Sequence, residues 1–282
     1  YPNPESEKAY AEAYKKAVET EADIVIATDP DADRVGVSVK TENGYKILTG
    51  NETGCLLLDY IFSMRKQNNS LPKKPVVIKT IVTTALAEKI TENYGGEIIN
   101  VLTGFKFIGE QIGLLEKKGE ADRYIFGFEE SYGSLAGSYV RDKDAVAASM
   151  LIVEMAAKYK KEGKNLFTAL DELYKKYGYT ENKLVSYEAF GADGFKKMTE
   201  LLEYLRENGI EIDYKKKTDY LKDETGLPKS DVLVFTGENY EIVVRPSGTE
   251  PKIKFYLSAS GQNLEETENK INEMSKKGLR VI

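Results

Sequence analysis

Residues 76–128 read VVIKTIVTTALAEKITENYGGEIINVLTGFKFIGEQIGLLEKKGEADRYIFGF, and this stretch decides the fold class. Short apolar runs that are typical of buried strands occupy 76–78, 97–102 and 124–128. Amphipathic stretches between and after them predict helices at 85–94, 107–118 and 145–162. Strands separated by helices of this length indicate a parallel sheet covered on both faces. Ligands bind such sheets beyond the carboxyl ends of the strands, so the loop after Phe128 is a candidate site by position alone.

The flanking segments extend this pattern in two ways. Upstream, the apolar run 23–27 predicts another buried parallel strand, and an alternating strand at 35–39 leads to the hairpin signal Asn43-Gly44. Downstream, short-turn connections predict a small antiparallel α+β domain with strands at 231–235, 240–244 and 253–258. We therefore predict an α/β fold whose parallel-sheet domains are followed by an antiparallel α+β domain, divided at 1–68, 69–180 and 181–282.

Composition excludes several classes of function. The 282 residues contain 40 Lys and Arg against 46 Asp and Glu, and this net charge of −6 disfavours a general nucleic-acid binder. The chain has no histidine, which excludes histidine acid–base catalysis and histidine metal sites within it. Its single cysteine, Cys55, lies in an apolar run and is predicted to be buried and inert. No apolar stretch is long enough to span a bilayer and no signal peptide is visible, so we expect a cytoplasmic protein without membrane partners.

The loop after residues 23–27 contains three alternating aspartates, Asp29, Asp31 and Asp33, followed by Arg34. If the loop is extended, the three carboxylates point to one side, and a hard cation such as Mg²⁺ would offset their repulsion. A calcium EF-hand is excluded, because Arg34 stands where that loop needs glycine and Lys40 where it needs a final glutamate. A haloacid-dehalogenase-type phosphatase expects threonine or valine at the position of Asp33. A solvated acidic turn remains the alternative to a metal site.

Two further loops carry polar groups, one set suited to sugar hydroxyls and the other to an anion. Residues 127–133 (GFEESYG) place Glu129 and Ser131 between glycines, where they offer acceptors to sugar hydroxyls; an exposed acidic turn is the alternative. Residues 245–252 (RPSGTEPK) combine an arginine with two hydroxyls and a glycine, the donors of an anion-binding nest: Arg245, Ser247, Gly248 and Thr249. A plain turn between strands is the alternative for this second loop.

Two lysines in predicted loops of the middle domain are weaker candidates. Lys106 in TGFK (103–106) and Lys143 in RDKD (141–144) either meet a phosphate or hydroxyl group or belong to the solvated surface. We assign Lys106 to the catalytic candidates and Lys143 to the substrate-binding candidates.

The three main loops together resemble those of the α-D-phosphohexomutases, the family of phosphoglucomutase and phosphomannomutase. TDPDADR at 28–34, GFEESYG at 127–133 and RPSGTEP at 245–251 occur in that family's order, and the resemblance covers the whole chain. It implies four domains in the intact enzyme, of which this chain carries part of the second, the third and the fourth. The domain with the phosphorylated serine would precede Tyr1 in the same polypeptide, as a missing N-terminal partner.

The resemblance also implies roles for the residues. Asp29, Asp31 and Asp33 would hold Mg²⁺, and Arg34 would lie beside the phosphoserine. Sugar hydroxyls would contact Glu129 and Ser131, and the substrate phosphate would be held by Arg245, Ser247, Gly248 and Thr249. The implied reaction interconverts hexose 1-phosphate and hexose 6-phosphate, glucose before mannose, with glucose 1,6-bisphosphate as activator of the intact enzyme. Without the serine domain the chain is expected to be inactive. A non-catalytic phosphosugar-binding paralogue, a glucose-1,6-bisphosphate synthase and a phosphopentomutase-like enzyme remain alternatives.

Overall fold

The computed structural model describes residues 2–189, 193–247 and 251–279. They divide into two units, Tyr1–Tyr177 and Gly178–Ile282. In the first unit the elements are, in chain order, a 3₁₀ turn (Glu7–Tyr10), α1 (Ala11–Glu19), β1 (Ile24–Thr28), β2 (Val35–Thr41), β3 (Gly44–Ile47), α2 (Gly50–Gln67), β4 (Val76–Thr80), α3 (Leu86–Asn93), β5 (Glu97–Val101), α4 (Phe105–Lys117), a 3₁₀ turn (Ala121–Arg123), β6 (Tyr124–Phe128), β7 (Ser134–Leu135), α5 (Ala145–Lys161) and α6 (Leu166–Tyr177).

The predicted parallel sheet is confirmed. Its strand order is β5-β4-β6-β7, with β4 parallel to both β5 and β6 and only the short β7 antiparallel. Because β5 lies on one side of β4 and β6 on the other, the strand order reverses between β4 and β6. The loops that leave the carboxyl ends of these two strands therefore border a topological switch point, the usual ligand position in such a sheet.

The prediction of a parallel strand at 23–27 is wrong. β1 pairs with β2 in the antiparallel sense, from Ile24 opposite Val39 to Thr28 opposite Val35, and β3 completes a three-stranded sheet. A continuous apolar run is compatible with either direction, and the loop at 29–34 is short enough to return the chain alongside β1. The acidic loop consequently joins two neighbouring antiparallel strands.

Helix α2 packs tightly beneath the loop that follows β6. Thr49 caps its first turn in a reciprocal capping box with Glu52. Gly54 faces the Phe128 ring so closely that a Cβ at position 54 would lie 2.2 Å from it, so only glycine allows this approach. The main hydrophobic cluster of the unit draws on α2, β2, β6, α5 and α6, and includes the buried Cys55 that the sequence predicts. It joins the elements that carry the acidic loop and the loop after β6.

The second unit contains β8 (Tyr179–Glu188), α7 (Gly194–Asn208), β9 (Lys216–Asp219), β10 (Leu233–Thr236), β11 (Tyr240–Pro246), β12 (Lys252–Gly261), α8 (Leu264–Glu273) and a π-helical turn (Met274–Gly278). All pairs in its sheet, of order β8-β12-β11-β10-β9, are antiparallel, which confirms the predicted α+β domain. Its core combines α7 and α8 with alternate residues of the sheet. The finer division of the first unit at residue 68 stays a prediction. No helix of the described ranges is both long and apolar enough to cross a bilayer.

Candidate active site

The acidic loop between β1 and β2 is folded into a turn around Asp29. Oδ1 of this buried side chain accepts hydrogen bonds from the backbone N–H groups of Asp33 (3.2 Å) and Arg34 (3.1 Å), and Oδ2 accepts one from Arg34 Nε at 2.8 Å. Burial alone would raise the pKa of Asp29, but the hydrogen bonds from Arg34 and Asp33 outweigh it and lower that pKa. Ala32 takes a left-handed φ of 54° at the tip. The extended loop considered from the sequence is therefore not what forms.

The three aspartates have three different surroundings. Asp31 is exposed, whereas Asp33 is partly buried and its Oδ2 lies 3.0 Å from Lys143 Nζ. Oδ1 of Asp33 is buried without a hydrogen-bond partner, and Arg34 Nε lies 3.8 Å from it. Within the described residues, no three carboxylate or thiol side chains are gathered as a ready metal site. Asp29 and Asp33 thus both lie near Arg34 Nε, at 2.8 Å and 3.8 Å, while Asp31 is exposed.

The chemistry of this loop nevertheless suits Mg²⁺. All its side-chain donors are carboxylate oxygens, which this ion prefers, and the orphaned Oδ1 of Asp33 is an acceptor that a cation would satisfy. Arg34 and Lys143 now neutralise the carboxylates that a metal would need. The carboxylate oxygens of the loop therefore fit Mg²⁺, and some of them are paired with Arg34 and Lys143 in this structure.

The loop after β6 lies directly against the acidic loop. Arg34 and Gly133 form an isolated antiparallel bridge, and the backbone N–H of Val35 donates to the carbonyl of Tyr132 at 3.1 Å. Tyr132 has a left-handed φ of 70°, and the backbone N–H of Glu129 closes the loop on the carbonyl of Gly133 at 2.9 Å. The two loops that the sequence singled out independently are therefore one structural feature.

Glu129 is the buried carboxyl group of this feature. It is 8% exposed, and its Oε1 accepts a hydrogen bond of 3.0 Å from the backbone N–H of Gly104, just before α4. Burial, followed by the charge of Glu130, raises the pKa of Glu129 to about 7, while the Lys143 ammonium acts in the opposite direction. Such a carboxyl group changes its charge near neutral pH, so it is suited both to accept and to donate a hydrogen bond. Ser131 lies two residues further on and is partly exposed.

Sequence reasoning missed a polar cluster at the carboxyl end of β4. The hydroxyl groups of Thr80 and Thr83 each lie 3.3 Å from Oε2 of Glu130 and 2.8 Å from one another. Lys79, only 3% exposed, donates to the carbonyl of Thr83 at 3.0 Å. The signal that would have found these threonines is the strand order, because the end of β4 borders the switch point beside β6.

The lysine candidates differ in their placement. The structure brings Lys143 into the feature, between Asp33 and the loop after β6, with its side chain 17% exposed. It places Lys106 on an exposed position of α4, with Nζ 4.9 Å from the centroid of the Phe107 ring. Among the residues that the structure describes, no hydrogen bond or ion pair joins Lys106 to Asp33, Glu129 or Lys143.

The third loop belongs to the second unit and connects β11 to β12 as predicted. The backbone N–H of Ser247 donates to the carbonyl of Lys252 at 2.7 Å, and Arg245 Nη1 lies 3.4 Å from the Tyr256 hydroxyl. Arg245 is paired across the strands with Lys254, so two cationic residues occupy opposed positions near the loop. Gly248 and Thr249 lie outside the described residues. The arrangement supplies positive charge beside a strand connection, which suits a phosphate group.

Three family models match successive, partly overlapping parts of the chain. Their descriptions are phosphoglucomutase/phosphomannomutase alpha/beta/alpha domain II (residues 1–44), alpha/beta/alpha domain III (residues 49–177) and C-terminal domain (residues 154–274). Together they cover both units and all three candidate loops.

Curated relatives and solved structures agree with these models. Phosphoglucomutases of Staphylococcus aureus are 37% identical over 290 residues in strain MSSA476 and 38% in strain RF122, and cover 96% of this chain and 51% of the relative. The chain therefore spans about half the length of the curated relatives it matches. Parafusin, a phosphoglucomutase from Paramecium, has a similar fold (TM-score 0.68, 19% identity, 100% of this chain, 50% of that chain). So does a family protein from Burkholderia thailandensis (TM-score 0.65, 15% identity, 99% and 52%).

Proposed function

The chain belongs to the phosphoglucomutase/phosphomannomutase family, and from that premise we propose that it supplies the metal-, sugar- and phosphate-binding part of a phosphohexomutase. The complete enzyme would interconvert hexose 1-phosphate and hexose 6-phosphate, with glucose preferred and mannose second. A phosphorylated serine outside this chain would donate and recover the phosphoryl group through a bisphosphorylated sugar, with glucose 1,6-bisphosphate as activator. A cytoplasmic location is part of the same prediction.

The observation that carries the proposal is the junction of two loops at the switch point. Arg34 bridges to Gly133, Lys143 contacts Asp33, and Glu129 is buried beside them. Phosphoryl transfer depends on positioning and neutralising charge, which such a junction of carboxylates and cations provides without histidine.

Each side chain has a role in this proposal. Mg²⁺ held by Asp29, Asp31 and Asp33 would withdraw charge from the transferring phosphoryl group. Arg34, which is always protonated, would neutralise negative charge on the phosphoryl group at the serine to which it is attached. Lys106 is a second catalytic candidate. The sugar hydroxyls would be held by Glu129 and Ser131, with Lys143 beside them. In the second unit the non-reacting phosphate would be bound by Arg245, Ser247, Gly248 and Thr249.

The proposal is tested by titrating the chain, in the presence of Mg²⁺, with glucose 1-phosphate, mannose 1-phosphate, ribose 1-phosphate and inorganic phosphate, followed by NMR. We expect saturable shifts that are strongest with glucose 1-phosphate and weakened by Ser131→Ala. A preference for ribose 1-phosphate would favour the phosphopentomutase-like alternative. Equal responses to all four ligands would contradict the assignment of Glu129 and Ser131 to the sugar.

Catalysis is tested separately on the same preparation. We expect no conversion of glucose 1-phosphate by the chain alone, and conversion when the preceding half of a Staphylococcus aureus relative is supplied. Turnover by the chain alone would refute the placement of the nucleophile outside it. Sugar binding without turnover in the complemented protein would favour the non-catalytic paralogue, and net formation of glucose 1,6-bisphosphate would favour the synthase.

A further inference from the structure

Lys143 is held in the junction by packing as well as by charge. A Cβ at Gly133 would lie 2.2 Å from Lys143 Cδ, so the lysine side chain fits against the loop only because residue 133 is glycine. Its ammonium lies 5.6 Å from the centroid of the Phe105 ring. With 17% of the side chain exposed, this lysine has a defined path from its backbone to the acidic loop.

The backbone that directly follows Lys143 is fixed to both loops. The N–H of Ala145 donates to the carbonyl of Ala32 at 3.0 Å, and the N–H of Asp144 donates to the carbonyl of Ser134 at 3.0 Å. The side chain can therefore change its partner by rotating its own flexible bonds, without movement of the segment that carries it. This anchoring makes Lys143 suitable as an exchangeable counter-ion.

Asp33 is the carboxylate at which the exchange would take place. One of its oxygens is 3.0 Å from Lys143 Nζ, and the other is buried without a hydrogen-bond partner. A divalent cation and an ammonium group would repel each other at this one carboxylate. A metal bound to this oxygen would satisfy it, and a buried acceptor without a partner is unfavourable, so this site favours the metal.

We infer that Lys143 neutralises Asp33 in the metal-free protein and is displaced when a divalent cation binds there, so that its ammonium becomes available to the anionic substrate beside Glu129. This inference rests on the proposed function, because it takes Asp33 as a metal ligand. Metal binding at Asp33 and the release of Lys143 toward the substrate are therefore coupled in one equilibrium. Without the metal, Lys143 positions the acidic loop; with the metal bound, it contacts the substrate.

The first test follows the reactivity of Lys143 in the unaltered chain. Mn²⁺ is the probe, because it prefers oxygen ligands as Mg²⁺ does and its free form is measured by EPR. The chain is acetylated briefly with and without saturating Mn²⁺, and peptides are quantified by mass spectrometry. We expect acetylation of Lys143 to rise about threefold with Mn²⁺, since its ion pair with Asp33 is lost and only the pair with the exposed Asp142, at 3.2 Å, remains. Lys158, which pairs with Glu162 at 2.7 Å on α5, serves as the internal control and should not change.

The second test measures Mn²⁺ affinity in variants. Lys143→Met should bind Mn²⁺ about fivefold more tightly than the unaltered chain, because the competing cation is removed. Lys158→Met loses the same charge and also one ion pair, and should leave the affinity unchanged. In Asp33→Asn, Lys143 should be acetylated rapidly with or without Mn²⁺.

The outcomes separate the inference from the proposed function. If Mn²⁺ binds and Asp33→Asn abolishes binding, while Lys143 reactivity and the Lys143→Met affinity are unchanged, the exchange is refuted and the metal assignment stands. If neither the unaltered chain nor Lys143→Met binds Mn²⁺, both the exchange and the metal assignment fail. A rise in Lys143 acetylation that is absent from Lys158 supports the exchange.

Discussion

The three aspartate side chains of the acidic loop have different contacts and therefore different structural roles. The Asp29 carboxylate receives three hydrogen bonds that shape the turn, Asp31 is exposed, and Asp33 faces Lys143. A carboxylate that holds the backbone of a loop contributes to stability whether or not a ligand is bound. The loop therefore combines one aspartate that shapes the turn, one that is exposed and one that is paired with a lysine from a distant segment.

This difference predicts unequal effects of asparagine substitutions on stability. Asp29→Asn should lower the free energy of unfolding by about 1–3 kcal/mol, because an amide has only one acceptor oxygen. In one orientation its NH₂ group faces the Nε–H donor of Arg34, and in the other it faces the backbone N–H groups of Asp33 and Arg34. Asp31→Asn should change it by less than about 0.5 kcal/mol. Urea unfolding of the metal-free chain measures both. Equal losses in the two variants would contradict the structural role of Asp29.

Glu129 predicts a pH dependence of stability. Its pKa of about 7 in the folded state lies above the ordinary 4.5, so between these values the folded chain retains a proton that the unfolded chain releases. Stability contributed at this site is therefore present below pH 4.5 and lost as the pH rises through 7, by at most about 3 kcal/mol. We expect Glu129→Gln to remove this decline. Urea unfolding from pH 5 to pH 8 compares the slopes, and parallel slopes in the two proteins would refute the raised pKa.

At the scale of elements, the approach of α2 to β6 positions the loop that carries Glu129. Gly50 and Gly54 are the contact points: a Cβ at position 50 would lie 2.1 Å from the carbonyl oxygen of Glu130, and one at position 54 would meet the Phe128 ring. Neither atom belongs to a flexible side-chain end. Added volume at these positions must displace the helix or the strand end.

Gly54→Ala should therefore destabilise the chain by about 1–3 kcal/mol through overpacking. Gly113→Ala is the matched control, since it lies within α4 and its Cβ would meet no atom within 4 Å. There the higher helix propensity of alanine should stabilise by about 0.5–1 kcal/mol. Thermal unfolding of both variants gives the comparison. Stabilisation in both would show that α2 tolerates the added methyl group.

The elements that were predicted correctly from the sequence are those with a clear pattern of apolar residues. The runs at 76–78, 97–102 and 124–128 became β4, β5 and β6, and the parallel sheet followed from their spacing. β8 was missed because its ten residues, YTENKLVSYE, are mostly polar and it lies at the sheet edge, where burial only alternates weakly. The direction of β1 was wrong because an apolar run carries no information on its partner.

The candidate site was predictable in its loops but not in its contacts. Acidic and glycine-rich motifs marked residues 28–34 and 127–133, yet their bridge at Arg34 and Gly133 depends on tertiary packing. Thr80 ends strand β4 and Thr83 follows it, and neither belongs to a recognisable motif, so only the strand order reveals them. A local motif shows which functional groups a loop carries. The partner of each charged group depends on residues that are distant in the sequence.

For the whole molecule, the separate cores of the two units have a testable consequence. The hydrophobic clusters of the described residues each lie within one unit, with Phe62 in the first and Phe255 in the second, both fully buried. Cys55, the single cysteine, is buried in the first core, and burial raises the pKa of its thiol. It therefore reacts only after the first unit opens, and its labelling reports on that unit alone.

We expect Phe62→Leu to move the urea midpoint of Cys55 labelling to lower concentration, because the lost volume destabilises the first core by about 1–2 kcal/mol. Phe255→Leu, the matched change in the second core, should leave that midpoint unchanged while lowering the midpoint of a second transition seen by tyrosine fluorescence. Labelling by a thiol reagent across a urea series measures the first unit, and fluorescence measures the sum. If Phe255→Leu shifted Cys55 labelling as much as Phe62→Leu does, the chain would unfold as one cooperative body and the expected independence would be contradicted. If the two midpoints move independently, each unit has its own stability and opens separately.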